Sequence, residues 1–416
     1  MGLNGRQWAW CLYDWANSAF ALVCMTALLP VALTQAANRE LGAPQGTVVW
    51  GWFATAGLGL SVALSPILGH WADKKAKRKA LLVFSVAFGA LCCLGVGPAL
   101  EERWFVAGLL YTLGASAFAL GNVLYDALLL VVASPGEWDR VSSAGYATGY
   151  LGGAAALLGS VWLWQDGAYT FAFALVGGWW LLFSLPLLLL VPEPRTEVGL
   201  SGWVSLRDRF RELKGNRWAL RFLGAYWLYN DGISTVIKMA GSYGSHLSIP
   251  LGHVVGALLL AQMVGVPSTL LFGRLASRWG AKRLILVALM IYTGVTLWAT
   301  GIRQVWEFWL LAGLVGSVQG GAQALSRSFF ARFVAAEGAA AYFGFFDLSG
   351  RLAGLLGPAL FAVATGITGA PAFGVAVTTC FFLGGGALLV TVPEVGSCDA
   401  SPQIRTSRKR LKKSRV

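Results

Sequence analysis

Long apolar stretches separated by short polar ones run along the whole chain. An α-helix needs about 20 residues to cross the ~30 Å hydrocarbon layer of a membrane, and twelve stretches approach or exceed that length with few charges. The pattern therefore predicts an all-α, multi-pass membrane protein with twelve transmembrane helices. The predicted spans are residues 10–33, 48–68, 80–100, 105–132, 144–163, 169–191, 220–241, 254–275, 284–300, 308–333, 339–367 and 373–392.

The composition and the distribution of charge agree with this class. Only 12% of the 416 residues are charged, whereas soluble domains carry about 25%. A net charge of +13 would favour nucleic acid as the partner of a soluble protein. Here the outer loops contain only Arg39, Arg103 and Arg303, and most other basic residues lie in the loops and tails on the opposite side. This asymmetry predicts that both termini are cytoplasmic. We also expect the cytoplasmic membrane of a prokaryote as the location, and no nucleic-acid partner.

One long polar stretch divides the chain into halves. The Pro-Glu-Pro sequence at 192–194 ends the sixth span, because proline cannot continue a helix. Farther on, Leu206, Phe210 and Leu213 recur at helical spacing among basic residues. This spacing predicts an amphipathic helix on the membrane surface, and a solvated linker is the alternative. The predicted parts are an N-terminal six-helix bundle (1–192), the linker (193–217), a C-terminal six-helix bundle (218–396) and a basic tail (397–416) that contacts anionic lipids.

The two halves resemble each other in sequence. A glycine opens a basic turn after span two, at residues 69–79, and another glycine opens one after span eight, at residues 273–283. Leu-Tyr-Asp at 12–14 returns as Leu-Tyr-Asn-Asp at 228–231. Parallel six-helix repeats of this kind place the substrate site between the two repeats, near the midplane. The chain is therefore predicted to form two pseudo-symmetric bundles.

Several strings resemble those of a known transporter family. The loop at 69–79 resembles the loop signature of the major facilitator superfamily. The string Tyr-Asp-Trp-Ala-Asn-Ser-Ala-Phe at 13–20 and the Gly-rich string at 320–328 are similar to motifs of its vacuole-effluxer-like, autophagy-related branch. This resemblance implies the major facilitator fold, alternating access and amino-acid efflux. The loops depart from the signature at Ala76, where it usually has glycine, and at Ser277, where the second copy lacks the aspartate.

Polar residues form narrow faces on four of the predicted helices. On span one, for example, Asp14, Asn17 and Ser18 stand at i, i+3 and i+4, and so share one side of a helix. The resemblance implies that these four helices line the translocation cavity. The alternative is that the groups only hold helices together, through interhelical hydrogen bonds worth about 0.6 kcal/mol. The candidate cavity residues are Asp14, Asn17, Asn122, Tyr125, Asp126, Asp231, Thr235, Lys238, Gln319, Gln323 and Arg327.

Two roles suit the buried acids. A carboxylate at bilayer depth costs roughly 2.5 kcal/mol or more, so it is retained mainly where it meets water, a partner or a ligand. Asp14 or Asp231 could carry a proton, or bind a ligand ammonium while Lys238 and Arg327 bind its carboxylate. Asp347 and Arg351 stand at i and i+4, which favours a plain intrahelical ion pair.

The loop after span two has a separate predicted role. Gly69 allows a close backbone approach, and Asp73 can cap a helix or meet an arginine such as Arg78. The resemblance implies a gating loop formed by these three residues, and simple anchoring of the topology is the alternative.

These observations predict a secondary transporter of a small polar solute, with an amino acid as the expected solute and protons as the expected coupling ion. A proton-coupled exporter of amphipathic compounds and a non-transporting scaffold or sensor are the alternatives. The chain has no GxxxxGK[ST] phosphate-binding loop, and its three histidines lack metal-ligand spacing. No cofactor, no metal site and no enzymatic activity are therefore expected.

Overall fold

The described part of the protein is helical apart from short connections. The structure is a computed structural model. It describes residues 2–42, 45–75, 77–165, 169–193, 206–246, 249–334, 338–354, 356–368 and 371–394. The predicted basic tail at 397–416 lies outside these residues.

Each predicted span coincides with a helix, and two of the spans are not regular helices from end to end. A π-helical segment, Phe20–Ala27, separates α1 from α2 in the first span, and a break separates α13 from α14 in the eleventh. The α-helices are α1 (Gly5–Ala19), α2 (Leu28–Leu41), α3 (Gln45–Lys75), α4 (Arg78–Glu102), α5 (Trp104–Val132), α6 (Trp138–Gln165), α7 (Tyr169–Leu190), α8 (Leu206–Gly215), α9 (Arg217–His246), α10 (Leu251–Trp279), α11 (Ala281–Ala299), α12 (Val305–Ala331), α13 (Ala339–Leu352), α14 (Leu356–Thr368) and α15 (Pro371–Val390).

Eight helical segments are long and apolar enough to cross a membrane within the described residues. The predicted spans that are not among these eight correspond to α6, α9, α12 and the pair α13 and α14. In the eleventh span the break leaves two helices of 14 and 13 residues, each shorter than a span requires. The short helix α8 lies within the predicted linker, as its apolar spacing indicated.

The described chain divides into two compact units that follow the two sequence halves, with two exchanges. Unit 1 contains residues 1–132, 148–206 and 337–347. Unit 2 contains residues 133–147, 207–336 and 348–416. The start of α6 therefore belongs to unit 2, and the first part of α13 belongs to unit 1.

Helices at equivalent places in the two halves pack in the same pairs. In unit 1, α3 and α4 pack on α5, while α1 and α4 pack on α7. In unit 2, α10 and α11 pack on α12, while α9 and α11 pack on α15. The internal packing of each unit thus repeats that of the other, which agrees with the repeats seen in the sequence.

A repeated Val-Pro-Glu sequence ends the sixth and twelfth spans. The Glu193 carboxylate accepts the backbone N–H of Lys79 at 3.0 Å, at the start of α4. In the second half, Glu394 accepts the backbone N–H of Lys282 at 3.4 Å, at the start of α11. Burial raises the pKa of Glu394, although the Lys282 N–H and the nearby Arg332 oppose the shift. Each glutamate therefore links the end of the last span of its half to the start of the third span of that half.

Candidate functional site

Asp14 and Tyr125 form the centre of a polar contact between α1 and α5 in unit 1. The Tyr125 hydroxyl donates a hydrogen bond to Asp14 Oδ2 at 2.7 Å. Trp10 stacks on the Tyr125 ring with centroids 4.2 Å apart, and its indole N–H donates to the Tyr125 carbonyl at 3.0 Å. Trp10 and Tyr125 are buried, whereas Asp14 is half-buried. The aromatic packing therefore holds a hydroxyl against a carboxylate that keeps some exposure.

The same contact continues one turn along both helices. Asn17 Nδ2 donates to Asn122 Oδ1 at 2.7 Å. Asp126 follows Tyr125 on α5 and is half-buried, and the buried Tyr13 hydroxyl interacts electrostatically with Asp14 and with Asp126. Five residues predicted from spacing alone, on two separate spans, are thus brought together. These five residues, which we call the α1–α5 seam, are Asp14, Asn17, Asn122, Tyr125 and Asp126.

The first span changes from α-helix to π-helix directly after the seam residues of α1. The α-helical part of the first span ends at Ala19, and eight residues of π-helix follow. Extended π-helix is rare, and short π segments are frequent at functional sites. Close by, the backbone of α6 approaches α1, because a Cβ at Gly149 would lie 2.8 Å from Ser18 Oγ. Small residues allow helices to pack closely in this way.

In unit 2, Asp231 occupies the break between α13 and α14. Its Oδ1 accepts the backbone N–H of Gly354 at 2.6 Å and that of Gly357 at 3.0 Å. Gly354 has a φ of +85°, a conformation that side-chain-bearing residues rarely adopt. The Asp231 residue is 1% exposed, and Thr235 donates its hydroxyl to the Asp231 carbonyl at 2.7 Å. The carboxylate therefore caps the N-terminus of α14, where a negative charge is favourable.

Arg327, predicted to bind a substrate carboxylate, is also engaged within unit 2. Its Nε donates to Ser142 Oγ at 2.9 Å, and Nη2 donates to the Ser142 carbonyl at 3.0 Å. The guanidinium lies 4.6 Å from the centroid of the Tyr146 ring. Since Arg327 is 2% exposed, it joins α12 to the start of α6 rather than facing open solvent.

The remaining predicted residues of the second half have different surroundings. Gln319 and Gln323 lie on one side of α12, are half-buried, and form no side-chain hydrogen bond to the described residues. Lys238 belongs to α9, and its side chain lies outside the described part of the structure. Among the predicted polar side chains of the second half that the structure describes, Gln319 and Gln323 are therefore the ones that keep exposure.

The three residues of the predicted gating loop lie on helices rather than in a loop, since α3 continues to Lys75 and α4 begins at Arg78. They contact the start of α13, within unit 1. Asp73 Oδ2 accepts the backbone N–H of Ala341 at 2.8 Å, and Oδ1 accepts that of Ala340 at 3.3 Å. The Arg78 guanidinium pairs with the same carboxylate at 2.5 Å, and both side chains are buried. Ser65, two turns earlier on α3, donates to Asp347 Oδ2 at 3.1 Å. Asp73 thus caps one helix while Arg78 balances its charge.

Gly69 provides the close approach that this contact requires. A Cβ at Gly69 would lie 2.5 Å from the Ala340 carbonyl oxygen, closer than real Cβ atoms come.

We expect Gly69→Ala to destabilise the protein by about 1–3 kcal/mol, the usual cost of overpacking. Gly59→Ala is the matched control, because Gly59 lies on the same helix with nothing within 4 Å of its Cβ position. Thermal unfolding of the purified variants would measure the difference. Equal melting temperatures for the two would contradict the close approach.

Comparison with known proteins assigns the chain to a family. The sequence profile described as "Vacuole effluxer Atg22 like" matches residues 53–397. The chain is 33% identical over 412 residues to the MFS-type transporter YxiO of Bacillus subtilis (strain 168), covering 95% of this chain and 96% of that protein. The chain belongs to the Atg22-like family. It is also 24% identical to autophagy-related protein 22 of Eremothecium gossypii, over 87% of this chain and 85% of that protein.

The Atg22-like chain has the major facilitator fold. A crystal structure of the major facilitator superfamily transporter FucP, in the outward conformation, matches with a TM-score of 0.77 at 13% identity. The match covers 94% of this chain and 100% of FucP. The protein is therefore an all-helical, multi-pass integral membrane protein. It is a secondary transporter of this superfamily and not an enzyme.

Sequence reasoning missed one buried ion pair in this Atg22-like transporter. Arg332, at the end of α12, pairs through Nη2 with Asp139 Oδ2 in the first turn of α6. Ser328 donates to Asp139 Oδ1 at 2.5 Å. A Cβ at Gly273 would lie 2.6 Å from Ser143 Cβ, so α10 approaches α6 as α3 approaches α13. Asp139 and Arg332 stand at predicted span ends, where charges usually set topology, and no local pattern distinguished them.

The turn after span eight lacks the aspartate of the turn after span two, as the sequence indicated. Ser277, which replaces the aspartate, donates its hydroxyl to the Arg274 carbonyl at 2.7 Å within its own helix. The acid of this region comes instead from the opposite helix, as Asp139. Both halves therefore have a buried ion pair beside a close-approach glycine, but the acid stands on different helices.

Proposed function

We propose that this Atg22-like transporter exports an amino acid by alternating access, coupled to protons. It would do so across the cytoplasmic membrane of a prokaryote, with twelve spans and both termini inside. The family description names an effluxer, which favours outward transport. The observation that carries the proposal is the α1–α5 seam, which groups two carboxylates with amides and a phenol inside predicted spans.

The seam contains groups that could bind the ammonium end of an amino acid. Asp14 and Asp126 are half-buried acids on facing helices, and either could bind an α-ammonium group through a charge-assisted hydrogen bond. Asn122 is half-buried beside them and offers a neutral hydrogen-bonding group. A soluble solute could reach these half-buried groups, whereas Asp231 and Arg327 are almost completely buried.

Two carboxylates in one seam also suit proton coupling. Their charged forms are favoured in water and disfavoured where water is excluded. A seam that alternates between the two surroundings can therefore take up a proton on one side and release it on the other. In this proposal, one acid binds the ammonium group and the other exchanges the proton.

The contacts of Asp73 and Asp139 would open and close during the cycle. Each joins a helix start to a helix of the other sequence half through hydrogen bonds and one buried ion pair. Such polar contacts can re-form without deep interlocking of side chains, which suits a gate. In this proposal Gly69, Asp73 and Arg78 form the first gate, and Asp139 and Arg332 form its counterpart.

The substrate class can be tested on the purified protein. A ligand that binds the folded state raises the apparent stability, so thermal shifts would be measured with each of the twenty amino acids at two pH values. A stabilising amino acid that also exchanges across proteoliposomes would support the proposal. Stabilisation by amphipathic compounds alone would favour the drug-exporter alternative, and transport that survives loss of the seam charges would favour a different site.

Asp14→Asn should then separate transport from folding. The Asn amide oxygen can still accept the Tyr125 hydroxyl, so the melting temperature should change little. Amino-acid exchange should fall by about tenfold or more, because a charge-assisted hydrogen bond is worth ~1.5–3 kcal/mol. Asp208→Asn on α8 is the control, since Asp208 lies outside the seam and its ion pair with Arg211, at 3.5 Å, is exposed. Wild-type exchange by Asp14→Asn would contradict the proposed ammonium or proton role of Asp14.

A further inference from the structure

A cleft lies between the last two turns of α10 and the start of α6, within unit 2. It has a volume of about 520 Å³ and opens to the surface. Three arginines line it, Arg140 from α6 and Arg274 and Arg278 from α10, with Glu137 and Asp139. None of these residues belongs to the α1–α5 seam or to the gating loop.

The cleft carries an excess of positive charge. Asp139 is neutralised by its ion pair with Arg332, and Glu137 pairs with Arg140 at 2.9 Å. Arg274 and Arg278 are exposed and form no ion pair with the described residues. The first turn of α6, which begins at Trp138, adds the positive end of a helix dipole. The cleft therefore suits an anion held by two arginines.

An apolar surface adjoins the arginines on the same helix. Leu271, Arg274, Leu275 and Arg278 stand at i, i+3, i+4 and i+7 on α10, and so form one face. Leu271 is 52% exposed, and α10 is long and apolar enough to cross the membrane from Gly256 to Trp279. Trp279, where this span ends, is 54% exposed, as expected for an aromatic residue at the membrane–water interface. A ligand bound here would meet positive charge at one end and hydrocarbon at the other.

We propose that this cleft binds the phosphate group of an anionic phospholipid. Arg274 and Arg278 bind the phosphate oxygens, for which the planar guanidinium is well suited. The acyl chains lie along Leu271 and the apolar part of α10. The soluble alternative, a phosphate compound without acyl chains, would use the arginines but would make no contact with the apolar part of α10.

A bound lipid would stabilise the contact between α10 and α6. The same two helices meet at Gly273 and Ser143, directly beside the cleft. A lipid phosphate held by α10 and the first turn of α6 would reinforce that contact. The lipid would thus act on one gate only, since the gating loop of α3 has no part in the cleft.

The test compares lipids and soluble phosphate on the full-length protein in neutral detergent. Phosphatidylglycerol, phosphatidylcholine with the same acyl chains, and inorganic phosphate would be titrated, with binding followed by native mass spectrometry and by melting temperature. We expect phosphatidylglycerol to bind and to raise the melting temperature more than the other two. The double variant Arg274→Gln/Arg278→Gln should bind it about thirtyfold more weakly, since each basic residue near the membrane is worth ~1 kcal/mol.

The controls separate the cleft from the basic tail and from misfolding. Both arginines are exposed, so the melting temperature of the double variant without lipid should equal that of the wild type. Lys412→Gln/Lys413→Gln removes the same charge from the tail and should keep the lipid affinity. The proposal is overturned if the arginine variant binds phosphatidylglycerol like the wild type, or if only the tail variant loses binding. Equal stabilisation by inorganic phosphate would also overturn it, in favour of a soluble ligand.

Discussion

Asp231→Ala is expected to prevent stable folding of unit 2. The substitution removes the acceptor of two buried backbone N–H groups, those of Gly354 and Gly357. Each buried donor left without a partner costs about 1–3 kcal/mol, and no water is available inside a membrane to replace the acceptor. We therefore expect a large loss of melting temperature and of monodisperse protein after solubilisation. Size-exclusion chromatography and thermal unfolding would measure both.

Asp231→Asn separates the role of the negative charge from the role of the hydrogen-bond acceptor. The Asn side-chain oxygen can accept the same two N–H groups, so the fold should survive with a melting temperature near that of the wild type. Loss of transport by this folded variant would show that the charge is needed, for a proton or for a ligand. Full transport measured in vesicles would contradict that role and leave Asp231 as a cap. Asp208→Ala, which removes an exposed acid from α8, controls for the loss of a charge alone.

Arg332→Ala is expected to have the second large effect. Its guanidinium pairs with Asp139, and the two side chains are 6% and 9% exposed. Removing one partner of a buried ion pair leaves an uncompensated charge, which typically costs about 3–5 kcal/mol. The melting temperature should therefore fall sharply, and the contact between α12 and the start of α6 should weaken.

A double-mutant cycle provides the control for this pair. Asp139→Asn combined with Arg332→Ala removes both charges together, so part of the stability lost in Arg332→Ala should return. Arg211→Ala breaks the exposed pair with Asp208, whose side chains are 72% and 44% exposed, and should change the melting temperature little. If Arg332→Ala were as mild as Arg211→Ala, the pair would contribute no stability.

The sequence was sufficient to locate the helices, because the membrane imposes a length and an apolar composition on each span. It was insufficient to show that the eleventh span is broken. Gly354 lies in an apolar stretch, and this pattern predicts that it belongs to a continuous helix. What stabilises the break is the carboxylate of Asp231, which is 123 residues away in the sequence. A local pattern carries no information about such a distant acceptor.

The candidate site was predictable to different degrees in the two halves. In the α1–α5 seam, helical spacing placed Asp14 and Asn17 on one face and Asn122 and Tyr125 on another, and these faces meet directly. In the second half the same spacing found Asp231 and Arg327, but their contacts were not foreseen. Arg327 reaches Ser142 across 185 residues of sequence, through a helix start that belongs to the other sequence half. Periodicity identifies a face, but it does not identify the groups that the face contacts.

The cap at Asp231 also determines which helices can shift independently. Because the Asp231 carboxylate on α9 accepts the N–H groups of Gly354, just before α14, and of Gly357, in its first turn, these two helices should move together. Bending would then be confined to the break between α13 and α14. Paramagnetic probes on α9 and α14 should keep a constant separation through turnover, while a probe pair placed across Gly354 should report two distances.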